Sequence, residues 1–280
     1  MDSYSQKRIV VRIQLNETGQ VLTFDGFAVR VQIKKQGLPE LPSASVQLYG
    51  LSEDHLSQLT MLGWKTLYLS RNQIEITAGD VNGMSLAFRG EICTALPDFN
   101  SAPSPVLNIE AISGVYGKTI PASPVAVSGQ TSAASLCEGF AHQAGMTFKN
   151  EGVTASVSDC VINGDPVSKM RWVADTVGAD LLIDDQEAIL APRDKPRGEL
   201  MRISAINPQT GEIGYPSFDN QGIQVKCFYR PDLLIGGWME IQSLLPRATG
   251  NWRIYSISHD ISANMPSGGT WSTSISGTWW

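Results

Sequence analysis

From Thr270 to Trp280 the chain alternates: Trp271, Thr273, Ile275, Gly277 and Trp279 share one parity, and Thr270, Ser272, Ser274, Ser276 and Thr278 share the other. A period of two is strand geometry, with one face meeting a core. The second face is polar yet uncharged. The N-terminal part repeats the pattern. Arg8 to Leu15 reads as a strand; Phe27, Val29, Val31 and Ile33 alternate with Arg30, Gln32 and Lys34 in another; Ser45 to Tyr49 is a third. Three more follow, Gln73 to Ala78, Ser85 to Ala95 and Val106 to Ile112. Asp80 to Gly83 forms a hairpin turn, and Pro97, Pro103 and Pro105 mark a loop. The spacing predicts one short helix over 52–62, capped by Ser52, carrying Leu56, Leu59 and Leu62, and closed by Gly63.

Beyond about Ile120 the period changes to 3.6. Ala133, Leu136, Cys137, Phe140, Ala141 and Ala144 form one helical stripe that Gly145 stops. In the next helix Asp165 caps and Pro166 opens, while Val167, Met170, Val173, Ala174 and Val177 form the stripe up to Gly178. Each helix runs into a strand, Met146 to Lys149 and Ala179 to Ile183, and Asp184-Asp185 turns the second into Glu187 to Leu190. Strands then return at Leu200 to Ile206, Ile223 to Tyr229, Gly237 to Ser243, Trp252 to Ile261 and the terminal stretch. The expected fold class is mainly β with an α/β insertion. The three segments are 1–120, 121–196 and 197–280, and strand spacing in the outer two implies a barrel or sandwich.

Composition sharpens this. In 280 residues, charged side chains make up 17%, against about 25% in an average globular chain. Ser, Thr, Asn, Gln and 26 Gly fill the deficit, which suits β structure and surfaces that meet another subunit. A net charge of −6 argues against specific binding of nucleic acid or an anionic membrane, since both need Lys and Arg clusters. No secretory leader opens MDSYSQKRIVVRIQL and no stretch approaches a membrane span, so synthesis in a cytosol-like compartment is expected, without membrane insertion. Cys93, Cys137, Cys160 and Cys227 lack Cys-x-x-Cys spacing and read as free buried thiols.

Catalytic motifs are missing: there is no P-loop, dinucleotide fingerprint, nucleophile elbow or His-Glu-x-x-His. His55 reads as a solvated helix residue and His142 as a helix-end residue. Ser258-His259-Asp260 is contiguous on a strand, so the imidazole points away from both neighbours and no triad can converge. Asp184, Asp185 and Glu187 could form a carboxylate pair or a cation site, but aspartate at a hairpin turn explains them. No catalytic residue, cofactor or metal is assigned. Trp238, Trp252, Trp271, Trp279 and Trp280 crowd the C-terminal segment. They are either core and subunit contacts, with Trp271 inward and Trp280 least so, or a platform for sugar rings.

Several runs carry a resemblance: Thr210 to Pro216; Gly222-Ile223 through Cys227 to Leu233; Gly236-Gly237; Gly250-Asn251-Trp252-Arg253-Ile254-Tyr255 to His259-Asp260; and Gly269 to Thr273. These resemble the C-terminal part of baseplate hub proteins of contractile-tailed bacteriophages. Tyr49 to Ser52, Ala78 to Asp80 and Ala87 to Ile92 resemble the N-terminal strands of that family. The likeness rests on Gly, Pro and aromatic punctuation and covers most of the chain.

It implies a non-enzymatic structural protein of the virion tail baseplate, a homotrimer whose subunits each give two tail-tube-like β-barrels, with the α/β segment outside. The barrels of three subunits would form a pseudo-sixfold ring joining the tail tube or its terminating protein to the central spike, in contact with other baseplate proteins and open to DNA. In such a ring Thr270, Ser272, Ser274, Ser276, Thr278 and Trp280 are candidates for a subunit interface or the lumen, because hydroxyls bridge a seam at lower desolvation cost than charges. The alternative is a tail protein that binds or degrades cell-envelope polysaccharide, using the tryptophans as platform and Asp184, Asp185 or Glu187 as acids.

Overall fold

The computed structural model describes residues 5–60, 71–100, 105–195, 197–198, 205–266 and 268–279. In chain order the elements are β1 (Arg8–Gln14), β2 (Val21–Asp25), β3 (Val29–Gln36), β4 (Ser43–Tyr49), α1 (Glu53–Leu59), β5 (Gln73–Asp80), β6 (Gly83–Asp98) and β7 (Val106–Ile112). Next come α2 (Val115–Thr119), β8 (Val125–Ser132), α3 (Ala133–Gln143), β9 (Thr147–Asn150), β10 (Ser156–Ile162), α4 (Pro166–Thr176), β11 (Ala179–Asp184) and β12 (Glu187–Pro192). The last are β13 (Ser217–Phe218), β14 (Ile223–Phe228), β15 (Trp238–Ile241), β16 (Gly250–Ala263) and β17 (Trp271–Trp279).

Twelve strands form one sheet in the order β13-β14-β17-β16-β3-β4-β7-β6-β5-β1-β2, with β15 added on β16. N-terminal and C-terminal strands are therefore joined directly. The seam is the antiparallel pair β3–β16, in which Val29 to Gln36 run against Ala263 to Ser256. Alternation decides which side of this sheet is wet: β3 buries Val29, Val31, Ile33 and Lys35 and turns Arg30, Gln32, Lys34 and Gln36 outward.

Buried side chains gather in three clusters. The first holds β1 to β7 and α1, together with Ile261 and Ala263 of β16. A second lies between α3, α4 and the small sheet β11-β12-β9. The third belongs to β14 to β17, with Leu182 and Ile189 contributed by β11 and β12. Because Leu181 and Leu190 face the helices while Leu182 and Ile189 face the C-terminal strands, the β11–β12 hairpin is covered on both sides. That explains its nearly continuous apolar runs, ADLLID and EAILAP.

Local signals place the helices. Ser52 Oγ accepts from the His55 amide at 3.3 Å, and Asp165 Oδ1 accepts from the Ser168 amide at 2.9 Å with Pro166 opening the helix. Gly145 follows α3 with φ 69°, the left-handed turn that ends a helix without a Cβ penalty. Some expectations need correction. Helix α1 stops at Leu59, because Thr60 is extended and its hydroxyl joins its amide in bonding the Leu56 carbonyl; Leu62 and Gly63 lie outside the described residues. Pro97 is no loop residue but sits in β6 opposite Leu107. Cys93 and Cys160 are only half-buried, while all four thiols are free. Of the strand expected over Leu200 to Ile206, the described part is a bridge from Ile206 to Ile241. Among the described residues no helix is long and apolar enough to cross a membrane.

Candidate assembly face and the ionic junction behind it

The hydroxyl row of β17 is one strip of a wider polar face. Register places Ser274 between Lys226 of β14 and Ser258 of β16, and Ser258 is followed by Lys34 and Ser43. A parallel row runs Phe228, Ser272, Asp260, Gln32, Ser45, Glu110 and Thr94. A third runs Gln224, Ser276, Ser256 and Gln36. Within the face Arg30 pairs with Asp260 at 3.4 Å, Gln36 bonds Ser256 at 3.5 Å and Gln47 bonds Asn108 at 3.2 Å. Charges of both signs are interspersed, Lys34, Arg30, Lys226 and Arg253 against Asp260 and Glu110.

The sequence candidates occupy different depths on it. Ser274 is exposed, Ser276 and Thr278 are half-buried, and Ser272 is buried. Thr270 lies just before the strand, exposed, donating from Oγ1 to Asp260 at 2.7 Å. Trp280 lies outside the described residues.

On the opposite side of the same strands sits a cluster that sequence reasoning missed. Lys35 faces inward, and its amine donates to Asp184 at 2.7 Å and Asp185 at 2.9 Å. Arg197 Nη1 donates to the other Asp184 oxygen at 3.0 Å, and Lys35, Asp184 and Arg197 are all buried. The two aspartates belong to the β11–β12 turn, where Asp185 and Gln186 take φ of 48° and 65°, the paired left-handed geometry of a tight hairpin. This turn reaches in several directions. Asp185 accepts from the Arg89 amide at 3.0 Å, the Gln186 amide donates to Ser113 Oγ at 2.8 Å, and the Arg197 amide donates to Gly236 O at 2.8 Å. The signal was present in the sequence: Lys35 has the parity of Val29, Val31 and Ile33, and a lysine on a core-facing position calls for a buried counter-charge.

Burial disfavours the Asp184 carboxylate, but Lys35 and Arg197 outweigh it and hold its pKa below the usual range. For Lys35, too, desolvation is overcome by the two aspartates, and its pKa is raised. Nearby, His259 is buried with its Nδ1 2.8 Å from Thr273 Oγ1 and its ring edge-on to Tyr229. Desolvation, with the Lys35 cation beside it, pushes the His259 pKa down to about 3. The imidazole is neutral at ordinary pH.

A family model described as baseplate hub gp41 matches residues 8–265. The chain belongs to the baseplate hub gp41 family. No curated protein sequence matches it. Solved structures share the fold at low identity. The 43 kDa tail protein of prophage MuSo2 from Shewanella oneidensis aligns over 98% of this chain and 97% of its own, with TM-score 0.65 and 9% identity. A tail protein from Neisseria meningitidis MC58 aligns over 99% and 97%, with TM-score 0.67 and 10% identity. The E. coli c3393 protein, described as a type VI secretion component similar in structure to phage T4 tail proteins gp27 and gp5, aligns over 90% and 73%, with TM-score 0.57 and 8% identity. The mainly β architecture with its large antiparallel sheet matches this phage-tail group, and membership supports a structural role in the baseplate of a virion tail.

Within that frame the other candidates take their places. Asp184 is held by Lys35 and Arg197, and Asp185 by Lys35 and the Arg89 amide. His259 turns away from Ser258 and Asp260, as alternation requires. Among the described residues Trp252 is buried, Trp271 packs half-buried against the N-terminal core beside Tyr229, and Trp279 is exposed, edge-on to Trp252 at 4.9 Å.

Proposed function

We propose that the chain is the structural hub of a contractile phage tail, a homotrimer whose subunits build a pseudo-sixfold ring between tail tube and central spike, through which DNA passes. The match to the hub family over residues 8–265 carries this reading. In it, segments 1–120 and 197–280 each supply one tube-like barrel, segment 121–196 lies outside, and neither catalysis nor a cofactor is involved. Thr270, Ser272, Ser274, Ser276, Thr278 and Trp280 belong to the lumen wall or a subunit seam.

Two features support the assignment of the polar face to the lumen. It extends across β14, β17, β16, β3, β4 and β7 without an apolar row. Its cations, Arg30, Lys34, Lys226 and Arg253, are interspersed with the carboxylates of Asp260 and Glu110, and a conduit for a polyanion works only if it does not hold it. Protein made in the host cytoplasm would then assemble on the spike.

Sedimentation of the full chain with and without its spike protein tests the oligomer. The expected result is three copies per spike; a chain that stays monomeric on a saturating excess of spike overturns the reading. A parallel retention assay on duplex DNA tests the lumen. The wild-type ring is expected to pass DNA unretained at about 0.15 M salt, and Ser256→Lys, Ser258→Lys and Ser274→Lys together to introduce salt-sensitive retention.

A further inference from the structure

A cavity borders the polar face at its Thr278 edge. It measures about 280 Å³ and opens where all three segments meet: Gly37 and Leu38 after β3, α4 and β11 of the α/β segment, and Ile235, Arg253 and Thr278 of the C-terminal strands. Its floor is apolar, with Leu182, Ile235 and Ile254 all buried. The rim is charged.

Arg171, Arg193 and Arg253 stand against Asp175 and Asp180, so three cations less two anions leave one positive charge in excess. The pairing leaves donors unspent. Arg193 uses Nε on Asp180 at 3.0 Å and Nη2 on Asp175 at 2.9 Å, which leaves Nη1 without a bond among the described residues. Arg253 is engaged, with Nη2 on Asp180 at 2.7 Å and Nη1 on the Arg193 carbonyl at 3.3 Å. Arg171 has only a loose 3.7 Å approach to Asp175, with about half of its side chain exposed. The rim thus offers guanidinium donors over an apolar floor. A guanidinium with free N–H groups matches a carboxylate in shape and charge.

Size narrows the ligand. The volume lies at the low end of the roughly 300–1,000 Å³ typical of pockets for drug-sized molecules, which suits a small ligand such as one branched apolar side chain with its acid group. We infer that this cavity binds a carboxylate beside an apolar side chain, as the α-carboxylate and side chain of a peptide's C-terminal residue present them. The occupant would touch all three segments at once and brace the α/β segment against the sheet. Nothing in this inference requires the ring to assemble.

The test uses the isolated full chain, without spike, and saturation-transfer NMR on N-acetyl-leucine, N-acetyl-leucinamide, acetate and a leucine-terminated tripeptide. N-acetyl-leucine is expected to bind with a Kd on the order of 1 mM, as befits a fragment of this size. The amide and acetate should bind at least about fivefold more weakly, since each lacks one half of the recognition. The tripeptide should bind at least as tightly as the free acid; a tripeptide that is rejected overturns the peptide source and leaves a small free acid as ligand.

Arg171→Gln, at an exposed position, should weaken the acid about fivefold and leave the amide unchanged. Gly37 lines the cavity, a Cβ there meets nothing within 4 Å and its backbone is not left-handed, so Gly37→Leu is a tolerated variant that adds bulk at the cavity wall. It should abolish transfer with an unchanged thermal midpoint. Equal binding of acid and amide, or acid binding unaffected by both variants, overturns the inference.

Discussion

Two joints hold the segments together, and they are made differently. The β3–β16 seam is a run of eight facing residue pairs whose inner side is apolar except for Lys35 and His259 and whose outer side is polar. The α/β segment instead packs Leu182 and Ile189 onto the C-terminal core and is positioned by the β11–β12 turn, whose aspartates meet Lys35 and Arg197. A ladder adds stability pair by pair, and sliding it by one residue would expose a whole face. A buried ion cluster gives little net stability over an apolar contact, yet it is costly to break, so it fixes where the insertion sits. Backbone pairing unites the sheet; charge positions the insertion.

The sharpest way to break that contrast is Lys35→Met, which leaves buried Asp184 with Arg197 alone and Asp185 without its cation. A loss of about 3–5 kcal/mol is expected from denaturant unfolding, and a loss below 1 kcal/mol would show the junction to be hydrated. Ile257→Ala, on the seam's inner side and fully buried, should cost about 3 kcal/mol by the same measurement through lost transfer energy and a cavity.

The third prediction uses pH. The folded pKa of His259 is depressed from 6.5 to about 3, so below pH 6.5 the unfolded chain takes up a proton that the native one refuses. Stability should fall as pH drops from 6.5 toward 3, with a slope approaching about 1.4 kcal/mol per pH unit from this residue. His259→Asn should flatten that slope; an unaltered profile would refute the assignment. Asp184, whose pKa is held low by its cations, adds acid sensitivity of the same sign at lower pH. The smallest effect is expected at Ser258→Ala on the polar face, within about 0.5 kcal/mol. A larger loss there in the monomer would mean that the face is part of the fold and not a surface kept for assembly.

Much of the local structure could be read in advance. The caps Ser52 and Asp165, the opening Pro166 and the stripes of α3 and α4 are short-range signals, and they lie where the pattern places them. Strands β8 and β10 were not legible. They form a two-stranded sheet rich in exposed polar residues, and a register shift near Asp159, whose φ is 46°, interrupts the period of β10. Lys169 gave no warning either. It sits at zero exposure beside the apolar stripe of α4, its amine donating to Ser123 O at 2.5 Å. Strand β2 was also missed, being short and bounded by turns.

Alternation and helical period fix which side of an element is apolar, because that depends only on residues a few places apart. On this basis the sequence by itself determined a β, α/β, β order, and also the hydroxyl row of β17. It did not determine that residues 29–36 lie beside residues 256–263, or that the turn at Asp184 and Asp185 inserts beneath Lys35. Those pairings join positions far apart in the chain, and no local pattern encodes their partner. They are decided by tertiary structure, because each buried charge needs a counter-charge and each strand edge a partner, wherever in the chain these lie.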